Sequence, residues 1–281
     1  MLSIITCSIS PEHVQRLLVN IQQTAGLEHE VIVYDNVDQK GLCEVYNICA
    51  TRAKYPYLCF VHEDILFHTP GWDKLVVQHL SNEQIGVLGV MGGRYKSAFG
   101  LSWRDGDTSF YRFNIMDGVD HKHFSYYPKD EILSGVVCLD GAFLCCRKNV
   151  WEKYKFDEKH FKGFHFYDTD FSFRVAQYYR NFTINNLLLE HFSQGKFDKK
   201  FLKDSICFEE IHKQHLPFTI EKISGKEVSK LEGYALTEKL RLLKKNNFSF
   251  FFRIQLLQKY FWRYFNFYQL FRNVYFGFVK S

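Results

Sequence analysis

Apolar runs and amphipathic segments alternate at the start of the chain. Residues 2–7, 30–34 and 57–61 are mainly apolar, and the first run is rich in β-branched side chains, which predicts buried strands. Residues 10–26 and 42–53 carry apolar side chains at helical spacing, which predicts helices between these strands. A series of strand, helix, strand, helix and strand predicts a parallel sheet with helices packed on its faces.

Acidic side chains follow two of these strands at the point where each strand ends. Asp35 comes directly after the second strand, and Glu63 and Asp64 follow the third. In open α/β sheets, ligands bind beyond the carboxyl ends of the parallel strands. We therefore expect these three carboxylates to lie along one binding edge of the sheet.

The alternation continues less regularly towards residue 200. The pattern predicts a helix at 72–80, a strand at 86–90, loops and short strands at 94–130, a strand at 136–146 interrupted by Asp140 and Gly141, helices at 148–154 and 168–179, and a strand at 183–190 that ends at His191. The expected fold class is α/β, with a mostly parallel, mixed sheet flanked by helices. Residues 1–200 form the expected catalytic domain.

The C-terminal part, residues 201–281, has a different composition. Residues 207–216 and 230–245 have helical patterns, and 248–278 contains 15 aromatic residues. Basic residues interrupt that aromatic stretch, namely Arg253, Lys259, Arg263, Arg272 and, just beyond it, Lys280. These charges argue against a membrane span. They favour either a helix lying in the interface of an anionic membrane or a helix pair that packs on the catalytic domain or on a second subunit.

Charge and cysteine usage narrow the setting. The net charge is +5, and the sequence from Lys239 onwards contains nine Lys or Arg residues and no Asp or Glu. The eight cysteines form no CxxC pair and lie mostly in apolar runs, which favours buried free thiols in a reducing cytosol. The first strand has no charged leader or small-residue cleavage site before it, so we expect a cytoplasmic protein.

The sequence His62-Glu63-Asp64 is a candidate metal site. Mg²⁺ and Mn²⁺ take oxygen ligands, typically one or two carboxylates together with substrate phosphates. A leaving nucleoside diphosphate requires such neutralisation because it departs with negative charge. The alternative is structural, since Asp64 could cap a short helix that begins at Ile65.

The front half of the chain resembles family-2-type glycosyltransferases with the GT-A fold, a Rossmann-like architecture. The resemblance lies in the segment that ends at Asp35-Asn36, in Gly41 with Asn47, and in residues 57–64. It implies that Asp35 holds the nucleotide and that Asp64 is the main metal ligand. His62 replaces the first Asp of the family's Asp-any-Asp motif, and a contact with ribose or phosphate is the implied role.

Three later segments extend this resemblance to about residue 195. Asp140-Gly141 resembles the start of the family's acceptor-side strand, and Asp168 matches the position of its catalytic base, with Asp170 as the second choice. Tyr167 replaces the usual Glu before that base. His191 resembles a strand-end histidine that completes the metal or diphosphate site. From the residues alone, Asp168 could equally be a helix cap, Asp140 a turn residue and His191 a structural side chain.

The resulting hypothesis is an inverting glycosyltransferase that uses Mn²⁺ or Mg²⁺. It would transfer a sugar from a nucleoside-diphosphate sugar to a saccharide or lipid-linked acceptor, in bacterial surface-polysaccharide assembly according to the resemblance. Its C-terminal tail would contact the inner face of the plasma membrane. Catalysis is expected from Asp168 and Asp170, metal binding from Asp64 and His191, and donor binding from Ser8, Asp35, Asn36, Asn47, His62, Glu63, Asp140 and Gly141.

Two other functions are compatible with the sequence. A non-catalytic carbohydrate-binding or scaffold protein could keep the fold, and the changes at His62 and Tyr167 favour that alternative. A Mg²⁺-dependent nucleotidyltransferase also uses acids at strand ends, but residues 7–10 do not form the glycine- and lysine-rich phosphate loop that it needs. Nucleic-acid binding gives the acidic strand ends no role. The sequence does not decide whether the protein forms a homo-oligomer.

Overall fold

The computed structural model describes residues 1–193 and 195–279, so Lys280 of the predicted basic tail lies outside the described residues. The strands are β1 Leu2–Ser8, β2 His29–Asp35, β3 Tyr57–Val61, β4 Ile65–Phe67, β5 Ile85–Gly89, β6 Met91–Gly93, β7 Tyr95–Lys96, β8 Tyr111–Asp117, β9 His123–Tyr126, β10 Leu133–Val136, β11 Cys138–Leu139, β12 Phe143–Arg147, β13 Arg180–Ile184, β14 Leu189–His191 and β15 Phe218–Thr219. The helices are α1 Pro11–Thr24, α2 Leu42–Arg52, α3 Trp72–Leu80, α4 Lys148–Tyr154, α5 Tyr167–Ala176, α6 Lys199–His212, α7 Gly225–Lys245, α8 Phe250–Tyr264 and α9 Phe267–Val274. A single 3₁₀ turn, Thr108–Phe110, and a π-helical turn, Tyr275–Val279, complete the assignment for these residues.

The chain divides into two compact units. The first comprises residues 1–92 and 112–194, and the second comprises residues 93–111 and 195–281. Residues 93–111 therefore leave the first unit and return to it. The sequence pattern predicted a boundary near residue 200 and did not group residues 93–111 with the C-terminal part.

A mixed sheet forms the centre of the first unit. Across the described residues its order is β2-β1-β3-β12-β5-β13-β10. Strand β1 runs parallel to both β2 and β3, β5 runs parallel to β13, and β12 and β10 run antiparallel to their neighbours. The side chains of Leu2, Ile4, Ile5 and Phe60 are fully buried, as expected of strands covered on both faces. This architecture confirms the predicted fold class.

A second sheet has the order β11-β6-β8-β14-β4, with β9 paired to β8. Its strand β14 corrects a prediction, because residues 183–190 are not one strand. The chain breaks between β13 and β14 at Asn185, whose amide donates to the Glu131 carbonyl and to Ser134 Oγ. These hydrogen bonds turn the chain, so that β13 pairs within the first sheet and β14 within the second. The turn also sets His191 opposite Ile65.

Buried polar groups organise the second unit. The carboxylate of Glu232 on α7 accepts hydrogen bonds from the Tyr95 hydroxyl at 2.7 Å and from the Ala98 amide at 3.2 Å. Lys96 Nζ lies 2.7 Å from Asp105 Oδ2 in an ion pair whose side chains are 1% and 2% exposed. The hydrogen bonds to Glu232 attach the insertion to α7, and the Lys96–Asp105 pair orders the insertion itself, because a buried charge left unpaired is strongly destabilising.

The aromatic C-terminal segment forms α8 and α9, which both contact α7. One side of these helices is buried, as Leu257, Tyr260 and Asn273 show. The other side leaves large aromatic side chains exposed, among them Phe251, Trp262, Phe265, Tyr268 and Phe271. None of the helices among the residues described here is long and apolar enough to span a bilayer. The sequence left open a helix in a membrane interface or a packed helix pair. The buried inner side has the features of a packed helix pair, and the exposed outer side has those of an interfacial helix.

Candidate active site

The candidate site lies at one edge of the central sheet. Residues 62–64 follow the carboxyl end of β3, and Phe143 at the start of the antiparallel β12 pairs with Val61 at that end. The His62 amide donates to the Ala142 carbonyl at 3.1 Å, which brings Asp140 and Gly141 to the same place. The Phe192 amide donates to the Asp64 carbonyl at 3.0 Å, which brings His191 to this edge as well.

Three side chains at this edge form a candidate metal centre. His62, Asp64 and His191 each offer one ligand atom, and these atoms all lie within 4.8 Å of one another. His191 Nε2 lies 3.5 Å from Asp64 Oδ1, and His62 Nδ1 lies 3.9 Å from the same oxygen. Two imidazole nitrogens and one carboxylate oxygen that converge in this way suit a divalent cation. Asp64 does not cap a helix, because Ile65 begins strand β4.

The protonation of the cluster favours an ionised Asp64. Burial by itself would raise the pKa of Asp64, but the hydrogen bond from His191, and the positive charge that His62 and His191 carry when protonated, hold it well below its usual range. Burial and the neighbouring His191 lower the pKa of His62. Burial would also lower the pKa of His191, but its hydrogen bond to Asp64 raises it. A neutral His62 beside a carboxylate is the form in which an imidazole binds a metal.

Tyr167 links this cluster to the start of α5. Its hydroxyl lies 2.6 Å from His62 Nε2, and its ring is 3% exposed. The hydroxyl lies against Gly141, since a Cβ added to Gly141 would lie 1.9 Å from it. Burial raises the pKa of Tyr167 well above its usual range, so the hydroxyl stays protonated. Tyr167 thus occupies the position of the family's Glu without carrying a charge.

Asp168 lies one residue further along, in the first turn of α5. The N-cap position of α5 is Phe166, so Asp168 is not the cap of this helix. Its Oδ2 accepts from the Gly141 amide at 2.8 Å, and its Oδ1 accepts from the Thr169 amide at 2.7 Å. Burial, and secondly the negative charge of Asp140, raise the pKa of Asp168 to about 7. A carboxylate that titrates near neutral pH suits a general base.

Asp140 stabilises the local turn as well as acting on Asp168. Its Oδ1 accepts from the Ala142 amide at 2.9 Å, which orders the start of β12. Asp140 is therefore in part a turn residue, which was the alternative that the sequence left open. Its charge contributes to the raised pKa of Asp168, which places the two carboxylates close enough to interact.

Asp170 has a structural position. It is fully buried and forms an ion pair with Arg174, whose Nη2 lies 2.7 Å from Asp170 Oδ2. Arg174 also donates to the carbonyl of Lys155 at 2.7 Å. This pairing anchors the end of α4 to α5 and gives Asp170 no exposure to a substrate. The geometry therefore favours Asp168 over Asp170 as the base.

Glu63 points away from the cluster and orders the loop after β1. Its carboxylate accepts from Ser8 Oγ at 2.6 Å and from the amides of Ile9 and Ser10 at 3.2 Å and 3.1 Å. Ser8 is thereby held at the same edge of the sheet. Any contact of Ser8 or Glu63 with a donor stays a prediction.

The other predicted donor-binding residues lie further from the cluster. Asp35 is exposed at the end of β2, which β1 separates from β3 in the sheet. Asn36 is buried and closes the next loop through both backbone groups of Lys40. Asn47 on α2 accepts from Trp151 Nε1 and donates to the Phe156 carbonyl, so its amide anchors the loop after α4. Nucleotide binding by these three residues stays a prediction.

Sequence reasoning missed two features of the site. It grouped His62 with the donor-binding residues, which stays a prediction, and did not foresee that His62 Nδ1 would lie 3.9 Å from Asp64 Oδ1 in the candidate metal cluster. It noted Tyr167 only as a substitution and did not connect it with His62. His62 and Tyr167 are the two departures from the family motif, and their side chains lie 2.6 Å apart. The occurrence of both departures in one chain was the available signal that the two residues are in contact.

The fold is similar to those of solved glycosyltransferases. GalNAc-T7, crystallised with UDP, GalNAc and Mn²⁺, superposes with a TM-score of 0.53 at 11% identity, over 94% of this chain and 58% of its own length. Residues 1–349 of TarS from S. aureus, in complex with UDP, give 0.53 at 11% identity over 91% and 78% of the two chains. The mannosyltransferase PcManGT from Pyrobaculum calidifontis, in complex with GDP-Man and Mn²⁺, gives 0.52 at 10% identity over 100% and 88%. At 10–11% identity, this structural similarity establishes the fold alone.

The sequence comparison establishes the family. No curated protein matches the chain in sequence. A sequence profile of the Glycosyltransferase like family, however, matches residues 3–199, which is more than half of the chain and includes every residue of the candidate site. The chain therefore belongs to the Glycosyltransferase like family, as the motifs and the GT-A fold had indicated.

Proposed function

We propose that this protein is an inverting glycosyltransferase that uses a nucleoside-diphosphate sugar and a divalent cation. The acceptor would be a saccharide or a lipid-linked saccharide, and the setting would be surface-polysaccharide assembly. Catalysis is assigned to residues 1–200. The observation that supports this best is the closeness of a metal-ligand cluster, His62, Asp64 and His191, to a carboxylate whose pKa suits a base, Asp168.

The two parts of the site are coupled through Tyr167. Its hydroxyl contacts His62, and its backbone continues directly into Asp168. The Gly141 amide donates to Asp168, and the Gly141 Cα leaves room for the Tyr167 hydroxyl. A donor diphosphate at the cluster would therefore present its sugar near Asp168. Closeness of this kind is what a single in-line displacement requires.

The residues present divide the chemistry between them. His62, Asp64 and His191 would hold the cation, which supplies positive charge for the departing diphosphate. Asp168 accepts the proton of the acceptor hydroxyl as that oxygen attacks the anomeric carbon on the face opposite the leaving group. Burial, and secondly the charge of Asp140, keep the pKa of Asp168 near neutrality and so keep its carboxylate basic enough for the task. Attack from the opposite face inverts the configuration at the anomeric carbon.

Nucleotide-sugar binding is the first test. The solved relatives bind UDP in one case and GDP-Man in another, so the screen uses UDP-, GDP- and dTDP-sugars with Mn²⁺. Thermal denaturation should show stabilisation by the correct nucleotide only when the cation is present. Asp64→Ala should lose this shift, whereas Asp168→Ala should keep it and lose transfer. NMR of the product should show an inverted anomeric centre, and a retained configuration would refute the inverting assignment.

A second part of the proposal concerns the membrane. Trp262, Phe265, Tyr268 and Phe271 on the outer side of α8 and α9 are between 60% and 76% exposed. Exposed aromatic side chains among Lys and Arg suit the interface of an anionic bilayer. The sequence after Glu238 contains no acidic residue that would oppose this attraction. We assign this outer side to docking on an anionic lipid surface on the cytoplasmic side, where a lipid-linked acceptor would be found.

Vesicle binding tests this assignment. The full chain should co-sediment with vesicles containing phosphatidylglycerol and should bind neutral phosphatidylcholine vesicles less, with binding that weakens as salt is added. Trp262→Ser with Phe271→Ser should abolish binding. Val119→Ser provides the control, because Val119 is a hydrophobic residue with similar exposure in the first unit. Unchanged binding by the double variant would show that the outer side serves another purpose.

A further inference from the structure

The ligand set of the candidate metal centre differs from one built for Mg²⁺. It offers two imidazole nitrogens, His62 Nδ1 and His191 Nε2, and one carboxylate, Asp64. Mg²⁺ binds oxygen ligands and parts reluctantly with its water, whereas imidazole suits first-row transition ions. We propose that His62, held by Tyr167, makes this site select a transition ion such as Mn²⁺ or Co²⁺ over Mg²⁺. This rests on the proposed function, because it concerns the same cation.

The neighbouring acid does not supply a second carboxylate. Glu63 lies between His62 and Asp64 in the sequence, but its carboxylate accepts from Ser8 Oγ and from the Ile9 and Ser10 amides. Those hydrogen bonds hold it at the loop after β1. Within the described part of the chain, the cluster therefore contains a single carboxylate. A cation in this cluster has more nitrogen than oxygen among its protein ligands.

Tyr167 determines which nitrogen of His62 is available. Only the tautomer with its proton on Nε2 leaves the Nδ1 lone pair directed towards Asp64. In that tautomer the Nε2–H donates to the oxygen of the Tyr167 hydroxyl, which lies 2.6 Å from Nε2. A histidine that binds a metal commonly donates its second ring N–H to such a partner, which fixes both the tautomer and the ring. Tyr167 is therefore a positioning residue.

The position of the Tyr167 hydroxyl is itself well constrained. The ring packs edge-on against Tyr46, with centroids 5.5 Å apart, and also lies 6.1 Å from the ring of Phe156. Gly141 leaves no space beyond the hydroxyl, since its missing Cβ would lie 1.9 Å away. Because these contacts prevent the ring from moving, the hydrogen bond to His62 holds before any cation arrives. The selectivity therefore derives from a preformed site.

Direct metal binding tests the proposal without any measure of turnover. Binding of Mn²⁺, Co²⁺ and Mg²⁺ alone to the full chain is measured by calorimetry, with Mn²⁺ also followed by electron paramagnetic resonance. The wild-type protein should bind Mn²⁺ or Co²⁺ at least about 10-fold more tightly than Mg²⁺. His62→Asp should reduce that ratio by strengthening Mg²⁺ binding and weakening Co²⁺ binding. Equal affinities in the wild type, or an unchanged ratio in His62→Asp, would overturn the inference.

Tyr167→Phe separates positioning from ligation. It should weaken Co²⁺ binding about 10- to 100-fold and change the visible absorption bands of bound Co²⁺. Tyr46→Phe is the matched control, because it also removes a buried hydroxyl, but one that does not contact His62. It should leave the Co²⁺ affinity and the absorption bands unchanged. If Mn²⁺ and Mg²⁺ bind equally and Asp64→Ala abolishes the binding of each, the inferred selectivity is wrong while the proposed function survives. If neither Mn²⁺ nor Mg²⁺ binds the wild-type chain, the inferred selectivity and the proposed function are both wrong.

Discussion

Replacing Asp168 by Asn should change activity and stability in opposite directions. Asn keeps the size of the side chain but cannot accept the proton of an acceptor hydroxyl. Loss of a positioned general base lowers turnover by about 10²- to 10⁴-fold. The wild-type enzyme should also show a kcat/KM that increases as pH rises through about 7, because the base works in its ionised form and its pKa lies there.

The stability change follows from the same pKa. Burial and Asp140 raise the pKa of Asp168 from 3.8 to about 7, so the folded state holds a proton that the unfolded state releases at lower pH. Ionised Asp168 therefore destabilises the folded protein, by at most about 4 kcal/mol above pH 7. Asn removes this cost but has one acceptor oxygen for the two amides of Gly141 and Thr169, and one lost bond costs about 1–3 kcal/mol.

The net expectation is a gain of about 1–3 kcal/mol for Asp168→Asn at pH 8. The gain should shrink as pH falls from 7 towards 3.8, because the wild-type carboxyl is protonated in both states only below that value. Urea denaturation at pH 5 and pH 8, together with a transfer assay on the donor found by the screen, measures both effects. Transfer within about tenfold of wild type would refute the assignment of the base, and lower stability at pH 8 would refute the electrostatic argument.

Asp170→Asn is the matched control for this experiment. It makes the same chemical change two residues away, where the carboxylate is buried against Arg174. Breaking that pair should cost about 3–5 kcal/mol, because it leaves Arg174 without its charged partner. The protein that remains folded should keep its transfer activity. Asp168→Asn should therefore lose activity and gain stability, whereas Asp170→Asn should lose stability and keep its activity.

Three further changes test the packing around the site and in the second unit. Gly141→Ala should cost at least about 1–3 kcal/mol in urea denaturation and should weaken Mn²⁺ binding, because the new Cβ would lie 1.9 Å from the Tyr167 hydroxyl. Lys96→Met should destabilise the protein by about 3–5 kcal/mol because it leaves the buried Asp105 unpaired, and replacing Asp105 by Leu as well should recover part of that loss. Burial raises the pKa of Glu232 from 4.5 to about 7, so thermal stability should decrease as pH rises through that interval, and Glu232→Gln should flatten the decrease.

The sequence predicts the strands of the central sheet well because their chemistry is local. Strands covered on both faces are mainly apolar, so β1 and β3 stand out as short apolar runs that polar residues follow. The acids after β3 follow from the same pattern, and the family motif adds Asp168 and His191. Together these signals were sufficient to predict the fold class and to name Asp64 and His191, two members of the candidate metal cluster.

Features that depend on contacts between distant residues were not predictable in the same way. Tyr167 and His62 are 105 residues apart, and no local pattern indicates that they meet. The break between β13 and β14 depends on Asn185, whose partners lie about 50 residues earlier. The starts of α6 and α7 were predicted too late, although Asp198 and Ser224 are N-caps that bond the amides three residues on. Those caps were local signals and could have been used.

Anomalous diffraction at the manganese edge, from crystals grown with Mn²⁺ and the nucleoside diphosphate selected by the donor screen, tests the central claim most directly. We expect an anomalous peak within bonding distance of His62 Nδ1, Asp64 Oδ1 and His191 Nε2, with the diphosphate bound to the same ion. A manganese ion bound elsewhere, or a diphosphate bound away from these three side chains, would contradict it.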